Sequence, residues 1–162
     1  KIFAKVIEKI PAKLLLAGDG PERIEVEQLC RELNLKDDVR FLGKLDAVEE
    51  ILSVSDLFIL PSETESFGLA ALEAMAWSVP VISSNSGGLP EVNFDGVSGY
   101  LSDVGNIDEM AENAIKILEN ETTLATFKAN ALDVAKQFDI KNILPLYEKL
   151  YQEAIEKTHQ PL

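Results

Sequence analysis

Apolar residues follow two alternating spacings along the chain. Ile2, Phe3, Val6, Ile7 and Ile10 recur three and four apart, the spacing of one helix face. Pro11 ends that helix, because it lacks the amide the next turn needs. Ala12 to Ala17 follows as a short, almost wholly apolar run, which predicts a strand covered on both faces. Gly18-Asp19-Gly20-Pro21 reads as a turn, with Pro21 suited to the first turn of a helix over Glu22 to Leu33. The alternation continues with strand Val39 to Leu42, helix Ala47 to Leu52, strand Asp56 to Leu60, helix Phe67 to Trp77, strand Val79 to Ser83 and a short strand from Gly99 to Leu101. After Asp103 only helical spacing remains, over Asp108 to Leu118, Thr123 to Ala135 and Ile140 to Ile155. Pro145 lies inside the last of these and is expected to kink or restart it. The tail from Lys157 to Leu162 is expected to fray.

Strands and helices in alternation, joined by short connections, predict an α/β fold: a Rossmann-like parallel sheet with helices on both faces. Residues 1–138 form the sheet-containing domain on this reading, and residues 139–162 a C-terminal helix and tail. In such sheets a ligand sits beyond the carboxyl ends of the strands. Four loops lie there: Gly18-Asp19-Gly20, Gly43-Lys44-Leu45, Pro61 to Gly68, and Ser84 to Glu91.

Composition narrows what those loops can do. Of 162 residues 46% are hydrophobic, enough for the core of one domain. The longest apolar runs are strand-sized, far below the ~18 residues of a membrane span. With 28 acidic and 15 basic residues the net charge is −13, which argues against non-specific nucleic-acid binding. Any bound phosphate must therefore be held by local features. Cys30, the single cysteine, excludes an internal disulfide, fits a reducing cytoplasm and reads as a small packed apolar residue. One cysteine and one histidine leave no zinc cluster, and His159 in the tail argues against a histidine-based nucleophilic triad. No Walker-type loop is present, and the full Gly-x-Gly-x-x-Gly fingerprint fails at Arg23. Asp37-Asp38 and Glu49-Glu50 read as solvated charge. The chain opens at Lys1 in what reads as the middle of a helix, so it is taken as a piece of a longer protein.

Pro61-Ser-Glu-Thr-Glu-Ser-Phe-Gly68 offers the richest chemistry. It leads from a strand into a strongly helical run, so its last residues should present backbone amides to a ligand. Glu65 sits at the mouth of that helix and Glu73 about two turns on, and helical side chains lean toward the N-terminus. Both carboxylates could accept from paired sugar hydroxyls in one pocket. Equally, Glu65 could cap the helix and Glu73 could be solvated. Ser86-Gly87-Gly88-Leu89-Pro90-Glu91 reads either as a loop built for close backbone approach or as an ordinary tight turn.

These segments together resemble the retaining glycosyltransferases built from two facing Rossmann-like domains, the GT-B architecture of carbohydrate-enzyme family four. The likeness runs from about Ala12 to Leu150. Its most specific element is Glu-x7-Glu, Glu65 to Glu73, supported by Leu-Leu-Leu-Ala-Gly-Asp-Gly-Pro, Val-Arg-Phe-Leu-Gly, Ser-Asp-Leu-Phe-Ile-Leu-Pro-Ser, Gly-Gly-Leu-Pro-Glu and Gly-Val-Ser-Gly-Tyr-Leu. Gly-Asp-Gly-Pro-Glu, Phe-Leu-Gly-Lys and Glu-Ser-Phe-Gly-Leu are most similar to members that transfer N-acetylglucosamine from UDP-N-acetylglucosamine to L-malate. Trp77-Ser78 departs from the small residue and glycine usual before Val-Pro.

The resemblance implies the donor-binding, C-terminal domain of such an enzyme. It gives Glu65 a catalytic role at the donor sugar hydroxyls. Ser66, Phe67, Gly68 and Leu69 would hold the sugar or diphosphate through their amides, and Glu73 would bind the ribose hydroxyls. Gly43, Lys44 and Leu45 would lie beside the uracil, with Gly18 lining the donor site. It implies no metal and no cofactor, since the UDP-sugar is the substrate. The partners implied are a UDP-sugar donor, a small-molecule acceptor and an N-terminal domain that carries the acceptor site. The diphosphate-neutralising cations would precede Lys1, so this chain alone is expected to bind donor without turnover. Self-association is left open. The rivals are a receiver-type or other non-catalytic nucleotide-binding module, a sugar-nucleotide epimerase domain and a fragment with no ligand. Asp56 begins a strand instead of ending one, which disfavours the receiver.

Overall fold

The computed structural model describes residues 1–158; His159 and the rest of the tail lie outside the described residues. Helix α1 (Ile2–Ile7) opens the chain, then β1 (Leu14–Ala17), α2 (Arg23–Glu32), β2 (Val39–Gly43), α3 (Val48–Leu52) and β3 (Phe58–Leu60). Helix α4 (Leu69–Ala76), β4 (Val81–Ser84), α5 (Leu89–Val92) and β5 (Gly99–Ser102) complete the α/β part. Helices α6 (Ile107–Leu118), α7 (Glu121–Gln137) and α8 (Ile140–Thr158) follow.

All strand pairs are parallel, as the strand-helix alternation requires. They form two ladders, β1-β2 and β3-β4-β5, where the sequence pattern suggested one sheet. β4 lies in the middle of its ladder, and all four of its residues are buried.

Two cores cover the β3-β4-β5 ladder. Met75, Ala71 and Ala74 of α4 pack with Val81, Leu89 and Val134 on one face. Met110, Ala114 and Ile117 of α6 pack with Ile82, Val6 and Phe127 on the other. A third cluster places Phe3 of α1 against Leu35 and Val39, with Leu14, Leu16 and Cys30 at its margin. Cys30 is thus the packed small residue expected of it. Helix α1 is also tied to α6 by Lys5, whose ammonium lies 2.7 Å from Asp108; that bond holds Lys5 above its ordinary pKa.

Several elements differ from the sequence expectation for identifiable reasons. Helix α4 begins at Leu69, two residues later than Phe67, because Gly68 takes a left-handed conformation (φ 96°) that cannot lie inside a helix. Strand β3 begins at Phe58, and the Asp56 carboxylate instead pairs with Lys128 of α7 at 2.6 Å. Pro145 does not restart α8, which runs unbroken from Ile140 to Thr158. The proline ring sits in the second turn and forfeits one bond, to the carbonyl of solvent-exposed Lys141. The expected fraying does not reach Lys157, which remains helical. Among the described residues no helix is long and apolar enough to cross a membrane.

Candidate functional site

Strand β3 delivers the chain to Pro61 at its carboxyl end, and residues 61–68 then wrap into α4. A neighbouring loop fixes that segment. Ser84, the last residue of β4, donates its hydroxyl to the Ser62 carbonyl. The Ser86 hydroxyl donates to the Glu63 carbonyl at 2.9 Å. Gly87 and Gly88 then press against the backbone of Glu65, Ser66 and Phe67. A Cβ on Gly87 would lie 1.6 Å from the Glu65 carbonyl oxygen, and one on Gly88 2.7 Å from that of Ser66. The glycine pair does serve close backbone approach, and the backbone it admits is the protein's own. Gly88 also starts α5, a one-turn helix that the loop reading of Ser84 to Glu91 missed. Pro90 at its second position was the available signal.

This support shapes the mouth of α4. Ala71 and Leu72 both donate to the Gly68 carbonyl, so the helical ladder starts there and the amides of Gly68, Leu69 and Ala70 precede it. The Ser66 amide donates to the Glu65 carboxylate at 3.0 Å, which folds that side chain back over the loop. Glu65 is half-buried, while Ser66, Phe67 and Leu69 are exposed and Gly68 is buried. The Phe67 ring meets Phe138 edge-on, with centroids 6.2 Å apart.

Glu73 lies exposed on α4, one helical turn beyond Leu69. It lines an open cleft of about 360 Å³ with Leu72, Ala76 and residues of the α7–α8 corner, including Phe138 and Asp139. Glu65 does not line that cleft. Phe138 connects the two places, since it touches Phe67 and borders the cleft.

The remaining predicted residues lie at the carboxyl ends of β1 and β2. Gly18 donates its amide to the Gly43 carbonyl at 2.7 Å, and both glycines have positive φ, 117° and 68°. Lys44 is exposed and Leu45 half-buried just beyond. Arg23 stands beside this pair, with its guanidinium 3.8 Å from where a Gly43 side chain would begin and stacked over Phe41. It bonds Glu27 at 3.0 Å, which keeps it charged beyond its ordinary range, and Asp19 lies 3.7 Å away. The residue that broke the dinucleotide fingerprint is therefore a cation at the same end of the sheet as the site. Among the described residues no three His, Cys, Asp or Glu side chains gather as a metal cluster.

Comparison with known proteins gives a consistent picture. The profile of the family described as glycosyl transferases group 1 matches residues 1–134. N-acetyl-alpha-D-glucosaminyl L-malate synthase of Bacillus anthracis is 45% identical over 154 residues, 94% of this chain and 40% of that protein. The 2-deoxystreptamine N-acetyl-D-glucosaminyltransferase of Niallia circulans is 30% identical over 98% of this chain and 43% of its own length. An Anabaena protein, HepE, solved in complex with UDP, superposes with a TM-score of 0.83 at 29% identity, over 93% of this chain and 44% of that one. The chain thus spans less than half the length of these relatives.

Proposed function

The chain belongs to the group 1 glycosyl transferases, and from that premise we propose that it is the donor-binding part of a retaining enzyme for UDP-sugars. The donor is UDP-N-acetylglucosamine and the acceptor a small molecule such as L-malate. The observation that carries this reading is the 45% identity to the malate synthase, which extends over 94% of the chain and so includes every site loop. The UDP complex of the Anabaena neighbour supports uridine diphosphate as the nucleotide.

The geometry is suited to such a donor. The amides at the mouth of α4 can donate to the diphosphate or to sugar hydroxyls, aided by the positive end of the helix. Glu65 is placed to accept from the sugar and Glu73 to accept from the ribose. Gly18, Gly43, Lys44 and Leu45 form the opposite bank, beside the base. Transfer then rests on positioning and on stabilisation of the departing UDP, and it uses no metal. Catalysis also needs the acceptor-bearing remainder of the enzyme, so this chain alone binds without turnover.

Titration calorimetry of the chain with UDP, UDP-N-acetylglucosamine, GDP and ADP tests the proposal. Selective, weak uridine binding is the expected result. Preference for a purine nucleotide, or no heat with any of the four, would remove it.

A further inference from the structure

The carboxyl ends of β1 and β2 form a floor that side chains leave largely uncovered. Gly18, Gly20 and Gly43 lie there. Where Cβ atoms would stand on Gly18 and Gly20, no described atom beyond their chain neighbours comes within 4 Å. Gly43 has a single such neighbour, a terminal nitrogen of Arg23 at 3.8 Å. The Gly18 amide donates to the Gly43 carbonyl at 2.7 Å and ties the two turns together. A flat ring can lie against exposed backbone of this kind. The side chain that reaches Gly43 from another element is a guanidinium.

Arg23 opens α2, and its head is held on several sides. Its Nε donates to Glu27 at 3.0 Å, Asp19 lies 3.7 Å from a terminal nitrogen, and the central carbon stands 5.8 Å from the Phe41 ring centre. A guanidinium offers several N–H donors and no acceptor. Among the described residues only Nε makes a hydrogen bond, since Asp19 is beyond bonding reach. The terminal nitrogens therefore keep donors for a ligand beside Gly43. Lys44, the neighbouring cation, is exposed and makes no hydrogen bond or ion pair among the described residues, so nothing there holds it in one direction.

Charge separates two uses of a cation at this place. Holding a diphosphate takes positive charge that is not already balanced. Arg23 is flanked by the carboxylates of Asp19 and Glu27, so the group as a whole is net negative. It suits a neutral acceptor, such as a ring carbonyl, better than an anion. The amides at the mouth of α4, to which the diphosphate is assigned above, follow β3 in the other ladder. Uracil and cytosine differ in what they present to such a donor: uracil carries the O4 acceptor, cytosine the N4 amino donor. A donor-only side chain bonds the first and sets donor against donor with the second.

We propose that Arg23 selects the base of the donor, its terminal nitrogens donating to O4 of a uracil ring seated on Gly18 and Gly43. This assignment rests on the uridine diphosphate reading and names what excludes cytidine from the same site. Glu27 and Phe41 are then positioning residues that hold the guanidinium toward the glycine floor. Position 23, where a dinucleotide fingerprint would carry its last glycine, carries the base selector instead.

Titration calorimetry with UDP and CDP, on an extended, acceptor-bearing chain and its Arg23→Gln variant, tests it. The unsubstituted protein should prefer UDP by about tenfold to a hundredfold. Arg23→Gln should bring the two within about threefold, because an amide can donate to uracil or accept from cytosine. UDP should weaken while CDP holds or improves, a split that a merely structural loss does not produce. Equal weakening of both nucleotides overturns the proposal and gives the cation to the diphosphate or to the loop. A preference for UDP that survives Arg23→Gln also overturns it. A second measurement needs no variant: the diphosphate of 2-pyrimidinone riboside lacks O4 and should bind the unsubstituted protein about tenfold more weakly than UDP. Equal binding of the two overturns the proposal while leaving the uridine reading in place. That reading fails separately, and takes this assignment with it, if the unsubstituted protein prefers GDP or ADP to UDP.

Discussion

Gly87 lies so close to the carbonyl of Glu65 that a methyl group on Gly87 would sit 1.6 Å from that oxygen. The contact is backbone against backbone, and Gly87 is also left-handed, with φ 54°. Gly87→Ala must therefore displace the segment that carries Glu65, and relief by side-chain motion is not available. A loss of about 3 kcal/mol or more is expected from overpacking plus strain, with UDP binding lost alongside. Gly96→Ala is the matched control, because Gly96 has φ 71° but open space around it. It should cost only about 1 kcal/mol of backbone strain. Urea unfolding of both variants checks this, and equal losses would mean that the contact with Glu65 is not constraining.

Ser78 closes α4 in the left-handed conformation, φ 60°. Its amide bonds Met75 and the Val79 amide reaches back to Ala74, the pattern of a helix end that usually takes glycine. Serine pays a steric cost there that glycine does not. Ser78→Gly should raise stability by about 1 kcal/mol, since among the described residues its hydroxyl makes no hydrogen bond in the cap. Thermal melts of the two proteins decide it; an unchanged or lower melting temperature would show that the strain is relieved elsewhere.

How much of this was legible in the sequence depended on whether a feature was periodic or interlocking. The helices of the C-terminal half and the strands β1 to β5 followed from apolar spacing. Gly68 shortened α4 through a dihedral that no periodicity records, and Phe67 consequently belongs to the loop. The glycine pair was identifiable as a place of close approach, but what approaches it could not be read from one segment. That relation joins Gly87 to Glu65 across 22 positions, and it exists only once β3 and β4 are neighbours. The division into two ladders was equally hidden, because Leu14-Leu15-Leu16 and Phe58-Ile59-Leu60 have the composition of interior strands.

Asn93 is a buried polar node that the apolar pattern passed over. Its amide nitrogen donates to Ser83 Oγ at 2.9 Å and to the carbonyls of Val81 and Tyr100, and its oxygen accepts from Ser98. It thereby ties β4 to β5 beneath the Ser84–Ser86 grip. Asn93→Ala would strand several of these groups without water, for a cost of about 3 kcal/mol. Guanidinium unfolding reads the loss. A loss under about 1 kcal/mol would indicate that the network is slack.

Glu65 and Glu73 should separate when each is replaced, because they are built into different surroundings. Glu73 is an exposed carboxylate on a rigid helix and has no hydrogen bond to a backbone neighbour to lose. Its proposed task is to accept from the ribose hydroxyls, a charge-assisted bond worth about 1.5–3 kcal/mol. Glu73→Ala should then weaken UDP binding roughly tenfold to a hundredfold while the melting temperature stays put. Glu65 instead holds the Ser66 amide, and its proposed task is at the donor sugar. Glu65→Ala should leave the affinity for free UDP within about threefold, because UDP lacks the hexose, and should lower turnover in an extended, acceptor-bearing chain by at least about a hundredfold. Calorimetry with UDP on both variants, and steady-state kinetics on the extended chain, distinguish the two roles. If both substitutions weaken UDP binding equally, the two carboxylates share one subsite and the division between ribose and sugar fails.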